Sequence, residues 1–145
     1  MGEMSSRKRI FIYSDDSALR DAIVAALGRR VSADLPEHDI EEFATGAALR
    51  ARLDGKNPTS KPDLIILDGE AVPEGGMGIS RQLKDEIFEC PPVLLITARP
   101  DDAWLAAWSR AEATFLAPID PFTFAHTAAE LMRLRAVAEP HLATH

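Results

Sequence analysis

PDLIILDGE, Pro62–Glu70, is the stretch that decides the fold of this 145-residue chain. Its aliphatic run Leu64–Leu67 is bounded by Pro62 on one side and Gly69 on the other. A run this short, continuous rather than alternating, reads as a strand buried on both faces, as in a parallel sheet covered by helices. It ends on an acid, Asp68. A Gly-rich loop follows (Gly69, Gly75, Gly76, Gly78), and then Ile79, Leu83 and Ile87 at four-residue steps, the period of a helix packed along one face.

The same strand-then-helix unit recurs on either side. Ile10–Tyr13 leads into Leu19, Ile23 and Leu27, with Ala22 and Ala26 beside them and Gly28 as the stop. His38–Ala44 is a second, weaker strand with only Ile40 and Phe43 as bulky apolar residues, and Thr45 can cap a short helix through Leu53. Asp54–Pro62 is a loop. Val93–Ile96 is the fourth strand, ending on Thr97, and Asp101 or Asp102 can cap the helix that carries Trp104 and Trp108 one turn apart. A fifth strand, Thr114–Leu116, runs into Ala117-Pro118, and Asp120 with Pro121 is a helix start signal followed by Phe122, Ala125, Ala129 and Met132 on the inner face. The sum is five strand–helix units with parallel strands.

Composition agrees. The chain is 46% hydrophobic and 27% charged, with 16 Lys+Arg against 23 Asp+Glu and a formal net charge of −7. That describes one globular domain and argues against a nucleic-acid surface. The longest apolar runs, Ala22–Leu27 and Ala103–Trp108, fall far short of the roughly 20 residues of a bilayer span, so no membrane partner is expected. The lone Cys90 points to a reducing compartment, the cytoplasm. The four histidines lack metal-ligand spacing; His126 falls on the last helix, and His38, His141 and His145 read as solvated.

In an open parallel sheet, ligands bind beyond the carboxyl ends of the strands, where strand order reverses. Polar residues there are Ser14-Asp15-Asp16 after the first strand, Asp68 after the third and Thr97 after the fourth. Each acid alone could be a helix cap or a turn residue. Together on one edge they form a carboxylate cluster, which repels itself unless a cation is recruited, and oxygen ligands favour a hard ion such as Mg²⁺.

RIFIYSDDSALR (9–20), DLIILDGEAVPEGG (63–76), PPVLLITAR (91–99) and ATFLAPIDPF (113–122) resemble the receiver domain of two-component response regulators, over residues 8 to about 137. The resemblance implies an α/β, flavodoxin-like (βα)₅ doubly wound five-stranded parallel sheet, with an N-terminal tail at 1–7 and a C-terminal tail at 138–145. It implies that Asp68 is a phosphoryl acceptor, served by a histidine kinase or phosphotransfer protein. Asp15, Asp68 and the main-chain carbonyl of Glu70 would ligate Mg²⁺, with Asp16 a further candidate. The Thr97 hydroxyl and the Ala98 amide would bind phosphoryl oxygens. Pro118 stands where the family has a cis peptide bond.

Departures from the family pattern are equally specific. Ser14 and Asp15 fall on its acidic pair, leaving Asp16 one position beyond. Ala117 replaces the Lys that contacts the phosphoryl group, and Arg99 is the nearest cation in sequence. Thr114 replaces the aromatic switch residue, and Phe115 next to it points to the opposite face, into the core. Pro73 falls one residue late, and Glu70 adds a negative charge beside the acceptor.

Two functions of different class follow. One is a stand-alone atypical receiver, a signalling module rather than an enzyme, with output through a protein partner. The other is a phosphorylation-independent docking module that keeps the fold without the switch. An aspartyl-phosphate hydrolase reading of Asp68-Gly69-Glu70 is disfavoured because the chain has no Lys after Lys84. At least one of Trp104 and Trp108 is expected to pack on the sheet; the other would anchor a partner or a homodimer on the face of the fourth helix, fifth strand and fifth helix.

Overall fold

The computed structural model describes residues 7–143 other than 57, 101 and 102; side chains at 103, 105, 106 and 136–143 fall outside the description. Along the chain lie β1 (Lys8–Tyr13), α1 (Ser17–Leu27), β2 (His38–Phe43), α2 (Gly46–Leu53), a 3-10 turn (Pro58–Ser60), β3 (Leu64–Asp68), α3 (Gly76–Glu86), β4 (Val93–Thr97), α4 (Ala103–Ser109), β5 (Ala113–Leu116) and α5 (Pro121–Ala143). The strands form one sheet in the order β2-β1-β3-β4-β5, and every pairing is parallel. This is the doubly wound (βα)₅ arrangement anticipated from the strand runs.

Alternation along the strands splits the core in two. Ile10, Ile12, Leu64, Ile66, Leu94 and Ile96 face α1 and α5, where they meet Ile23, Leu27, Phe124 and Met132. Phe11, Tyr13, Ile65, Leu67, Val93 and Leu95 face the other way, onto Leu49 of α2 and Ile79 and Leu83 of α3. The three inner strands are hydrophobic on both faces because both faces are covered. β2 is at the sheet edge and keeps only one buried residue, His38, which explains its weak apolar signal.

Local signals act as their chemistry dictates. Asp16 caps α1, its carboxylate accepting from the amides of Ala18 and Leu19 at 2.9 and 3.4 Å. Gly28 ends that helix at φ 58°, a left-handed conformation that favours glycine. Thr45 caps α2 by accepting from Ala48 N at 3.1 Å, and Asp120 caps α5 by accepting from Thr123 N at 2.9 Å. The proposed cap at Asp101 or Asp102 lies outside the described residues.

Several expectations are corrected. α3 begins at Gly76, inside the Gly-rich stretch, because close packing on β3 demands it: a Cβ at Gly76 would lie 2.7 Å from the Asp68 carbonyl oxygen. Phe122 is 89% exposed and Ala125 half-buried, whereas Ala129 and Met132 lie on the inner face of α5 as expected, joined there by Phe124, Ala128 and Leu131. Neither tryptophan packs on the sheet: Trp104 is 70% exposed and Trp108 46%. The Arg81 guanidinium covers the Trp108 ring at 5.4 Å and donates to its carbonyl oxygen at 3.0 Å. α5 runs on to Ala143, so the boundary drawn at 137 falls inside this helix; no Gly or Pro interrupts residues 133–139. Among the described residues no helix is long and apolar enough to cross a membrane.

His38, expected in solvent, is buried at the start of β2 with its Nε2 2.7 Å from the Gly28 carbonyl oxygen. Burial depresses its pKa, so the folded state favours the neutral ring. Below the ordinary value of 6.5 the unfolded chain takes up a proton that the folded chain still resists. Stability therefore falls as pH falls through and below that value. Urea midpoints compared at pH 8 and pH 5 are expected to drop more for the wild type than for His38→Gln, which has no ring to protonate.

Candidate functional site

Because β1 and β3 are neighbours in register, with Tyr13 opposite Leu67, the next residue on each, Ser14 and Asp68, meet at the carboxyl edge of the sheet. Both are buried, Ser14 completely and Asp68 to 5% exposure. Ser14 Oγ donates to Asp68 Oδ2 at 2.8 Å, and the Glu70 amide donates to Oδ1 at 2.8 Å. Both oxygens of the carboxylate are thus oriented, one from β1 and one from the following loop.

That loop, residues 69–75, is fastened at each step. The Gly69 amide donates to the Ile96 carbonyl of β4 at 2.8 Å, and a Cβ on Gly69 would meet the same oxygen at 2.8 Å. The Val72 amide donates to Asp15 Oδ1 at 3.1 Å. The Tyr13 hydroxyl donates to the Glu74 carbonyl at 2.5 Å, and the Arg50 guanidinium of α2 grips the Glu74 carboxylate. Burial, then the negative charges of Glu74, Asp15 and Asp68, push the Tyr13 phenol above its ordinary pKa. The Arg50 hydrogen bond holds the Glu74 carboxyl below its usual value.

Asp15 and Asp68 therefore bind amides two residues apart on one loop, Glu70 and Val72, so their carboxylates approach it from adjacent strands. Among the described residues no group of three or more His, Cys, Asp or Glu side chains gathers as a metal cluster. The carboxylates available at this edge are those of Asp15 and Asp68. A hard divalent ion that keeps several waters needs no more, so the donor set fits such an ion.

Asp16, the further candidate, spends its carboxylate on the α1 cap and exposes it to solvent. Thr97, 7% exposed, ends β4 one residue beyond Ile96, the residue paired with Asp68. Ala98 and Arg99 follow it, exposed, at the start of the β4–α4 connection. Ala117 packs against the α1/α5 core and donates its amide to the Thr97 carbonyl at 2.8 Å, with a cis bond to Pro118 as the resemblance implied. Phe115 packs edge-on against Phe124, ring centroids 5.1 Å apart, so it belongs to the core, and Thr114 beside it is exposed. Sequence reasoning missed the Ser14–Asp68 bond and the Tyr13–Glu74–Arg50 tether. The first was signalled by equal parity, Ser14 following Ile12 and Asp68 following Ile66 on one face.

A five-stranded parallel sheet with an acid at the end of β3, facing a polar β1 terminus at the point where strand order reverses, defines a receiver-type α/β domain. No family model matches the chain. It is 47% identical over 136 residues, 94% of this chain and 99% of the relative, to an uncharacterized response regulatory protein of Mycobacterium tuberculosis, in strains CDC 1551 / Oshkosh and H37Rv alike. The chain belongs to the response-regulator receiver family. Its fold matches a response regulator receiver domain protein (CheY-like) from Methanospirillum hungatei, with TM-score 0.71 and 18% identity over 92% of this chain and 99% of that one. The signal receiver domain of a response regulator from Bermanella marisrubri matches at TM-score 0.70 and 21% identity, over 86% and 98% of the two chains.

Asp16→Ala removes the α1 cap and is expected to cost about 1 kcal/mol of stability, whereas Asp16→Ser retains most of it. Chemical denaturation of the three proteins checks this.

Proposed function

We propose that this response-regulator receiver accepts a phosphoryl group on Asp68 from a histidine kinase or phosphotransfer protein and signals by binding a protein partner in the cytoplasm. The observation that carries the reading is the placement of Asp68: a buried carboxylate at the carboxyl end of the central strand, with both oxygens oriented by Ser14 and Glu70. An Asp68 oxygen attacks the phosphorus, a P–O bond forms, and the P–N bond to the donor imidazole breaks with the nitrogen keeping the electron pair. Each carboxylate oxygen accepts one of these hydrogen bonds, so whichever oxygen attacks is held by a single donor as the new bond forms.

Asp15, Asp68 and the Glu70 carbonyl are the residues that would hold Mg²⁺; when bound there, the ion offsets the charge that builds on the transferring group. The Thr97 hydroxyl and the Ala98 amide serve the phosphoryl oxygens on the β4 side. Exposed apolar residues on α4, β5 and α5, namely Trp104, Leu116 and Phe122, provide the face for a protein partner or a second copy.

One observation favours a second reading, a docking module indifferent to phosphorylation. Ala117 brings no cation to the site and its side chain belongs to the core. Intact mass after incubation with Mg²⁺ and a small phosphodonor separates the two. A phosphoryl adduct on the wild type and none on Asp68→Ala is the expected result; no adduct with any donor supports the docking module. Ala117→Lys is expected to raise the phosphorylated fraction at fixed donor concentration, and an unchanged fraction would argue against this arrangement of the site.

A further inference from the structure

Ser14 occupies the first of the two acid places at the end of β1, and each of its polar groups is committed. Its hydroxyl donates to Asp68 Oδ2 at 2.8 Å and accepts from the Asp16 amide at 3.0 Å. Its own amide donates to the Phe43 carbonyl at 3.1 Å, and its carbonyl accepts from the Arg20 guanidinium at 2.6 Å. The residue is fully buried, so turning the hydroxyl away would leave a buried donor and a buried carboxylate oxygen unpaired.

The chemistry of the substitution runs in two directions. An acid at this place meets Asp68 as a like charge, a repulsion that a cation between them relieves; a hydroxyl meets it as a hydrogen-bond donor. The hydroxyl also removes one negative charge from the donor set, and affinity for a divalent cation falls with ligand charge. Through the Asp16 amide the same hydroxyl ties Asp68 to the N-terminal cap of α1, so Oδ2 is held from a rigid element.

We infer that Ser14 is a positioning residue: its hydroxyl holds Asp68 Oδ2 in place without a metal ion, and its neutrality leaves this site with weak affinity for divalent cations. The kinetic part of this inference rests on the acceptor role of Asp68; the metal part does not.

The test uses the full chain with Ser14→Asp, Ser14→Ala and Ser14→Thr. Mn²⁺ binding is followed by electron paramagnetic resonance, and the thermal midpoint is measured with and without Mg²⁺. Ser14→Asp is expected to bind Mn²⁺ about tenfold more tightly than the wild type, as an added carboxylate ligand should. It is also expected to gain a larger Mg²⁺-dependent rise in midpoint. If Ser14→Asp folds only when Mg²⁺ is added, that supports the inference as well; unchanged Mn²⁺ affinity, or a chain unfolded even with Mg²⁺, overturns it. In the phosphodonor assay at saturating Mg²⁺, Ser14→Ala is expected to lower the maximal rate of adduct formation about tenfold, the loss of one hydrogen bond to a charged group. The donor concentration for half-maximal rate stays unchanged, and Ser14→Thr restores the rate. A Ser14→Ala protein as fast as the wild type overturns the positioning role. Absence of any adduct on the wild type overturns the acceptor reading, while the Mn²⁺ and midpoint measurements still decide the metal part.

Discussion

The parallel pairing of β1 with β3 is the constraint on which the site depends. Skipping over β1 to place β3 on its far side from β2 makes the chain reverse its direction of travel across the sheet, and the reversal leaves a gap between the loops at the carboxyl edge. The register then sets what fills that gap. With Tyr13 opposite Leu67, Ser14 reaches Asp68 and Asp15 reaches the loop beyond it. A slip of one residue would turn Asp68 to the other face and put Leu67 in its place. The aliphatic alternation of Ile10, Ile12, Leu64 and Ile66 against α1 and α5 therefore does two things at once: it fills the core and it aims the carboxylate.

Legibility in the sequence followed the same physics. β1, β3 and β4 were readable because strands covered on both sides need unbroken aliphatic runs, and the acid or hydroxyl that ends each run marks the sheet edge. β2 was faint because an edge strand has less to bury. On the last helix Ala129 and Met132 are legible as inner-face residues but the aromatic is not, because Phe122 and Phe124 both lie near its start, and only packing decides that Phe124 meets Phe115 while Phe122 faces solvent. His38 and the tryptophans were misplaced for a related reason. An amphipathic ring can be buried or exposed with equal ease, and which occurs depends on neighbours such as Gly28 and Arg81 that no local pattern connects to it.

At the candidate site, the residue types were visible and their alliances were not. Asp68, Asp15 and Thr97 stand where strand ends placed them, but Asp16 was separable from its neighbour only by seeing its oxygen on the amides of Ala18 and Leu19. The tether from Tyr13 and Arg50 to Glu74 joins residues dozens of positions apart, through one hydroxyl and one guanidinium. Its effect is to hold the loop beyond Asp68 from two elements, β1 and α2, so that the amides of Glu70 and Val72 are presented to the carboxylates in fixed places. Asp15, Asp68 and Glu74 are not left bare here, since each accepts from at least one donor.

The two tryptophans of the chain both belong to α4. One stands in water and the other lies beneath a guanidinium, so the two indoles differ in polarity and in freedom of motion. Tryptophan emission from this protein is consequently a signal from a single seven-residue helix. The carboxylates at the sheet edge reach that signal only through whatever displacement reaches the helix. Light thus samples the molecule at its periphery, on the surface where an encounter with another macromolecule would be felt first.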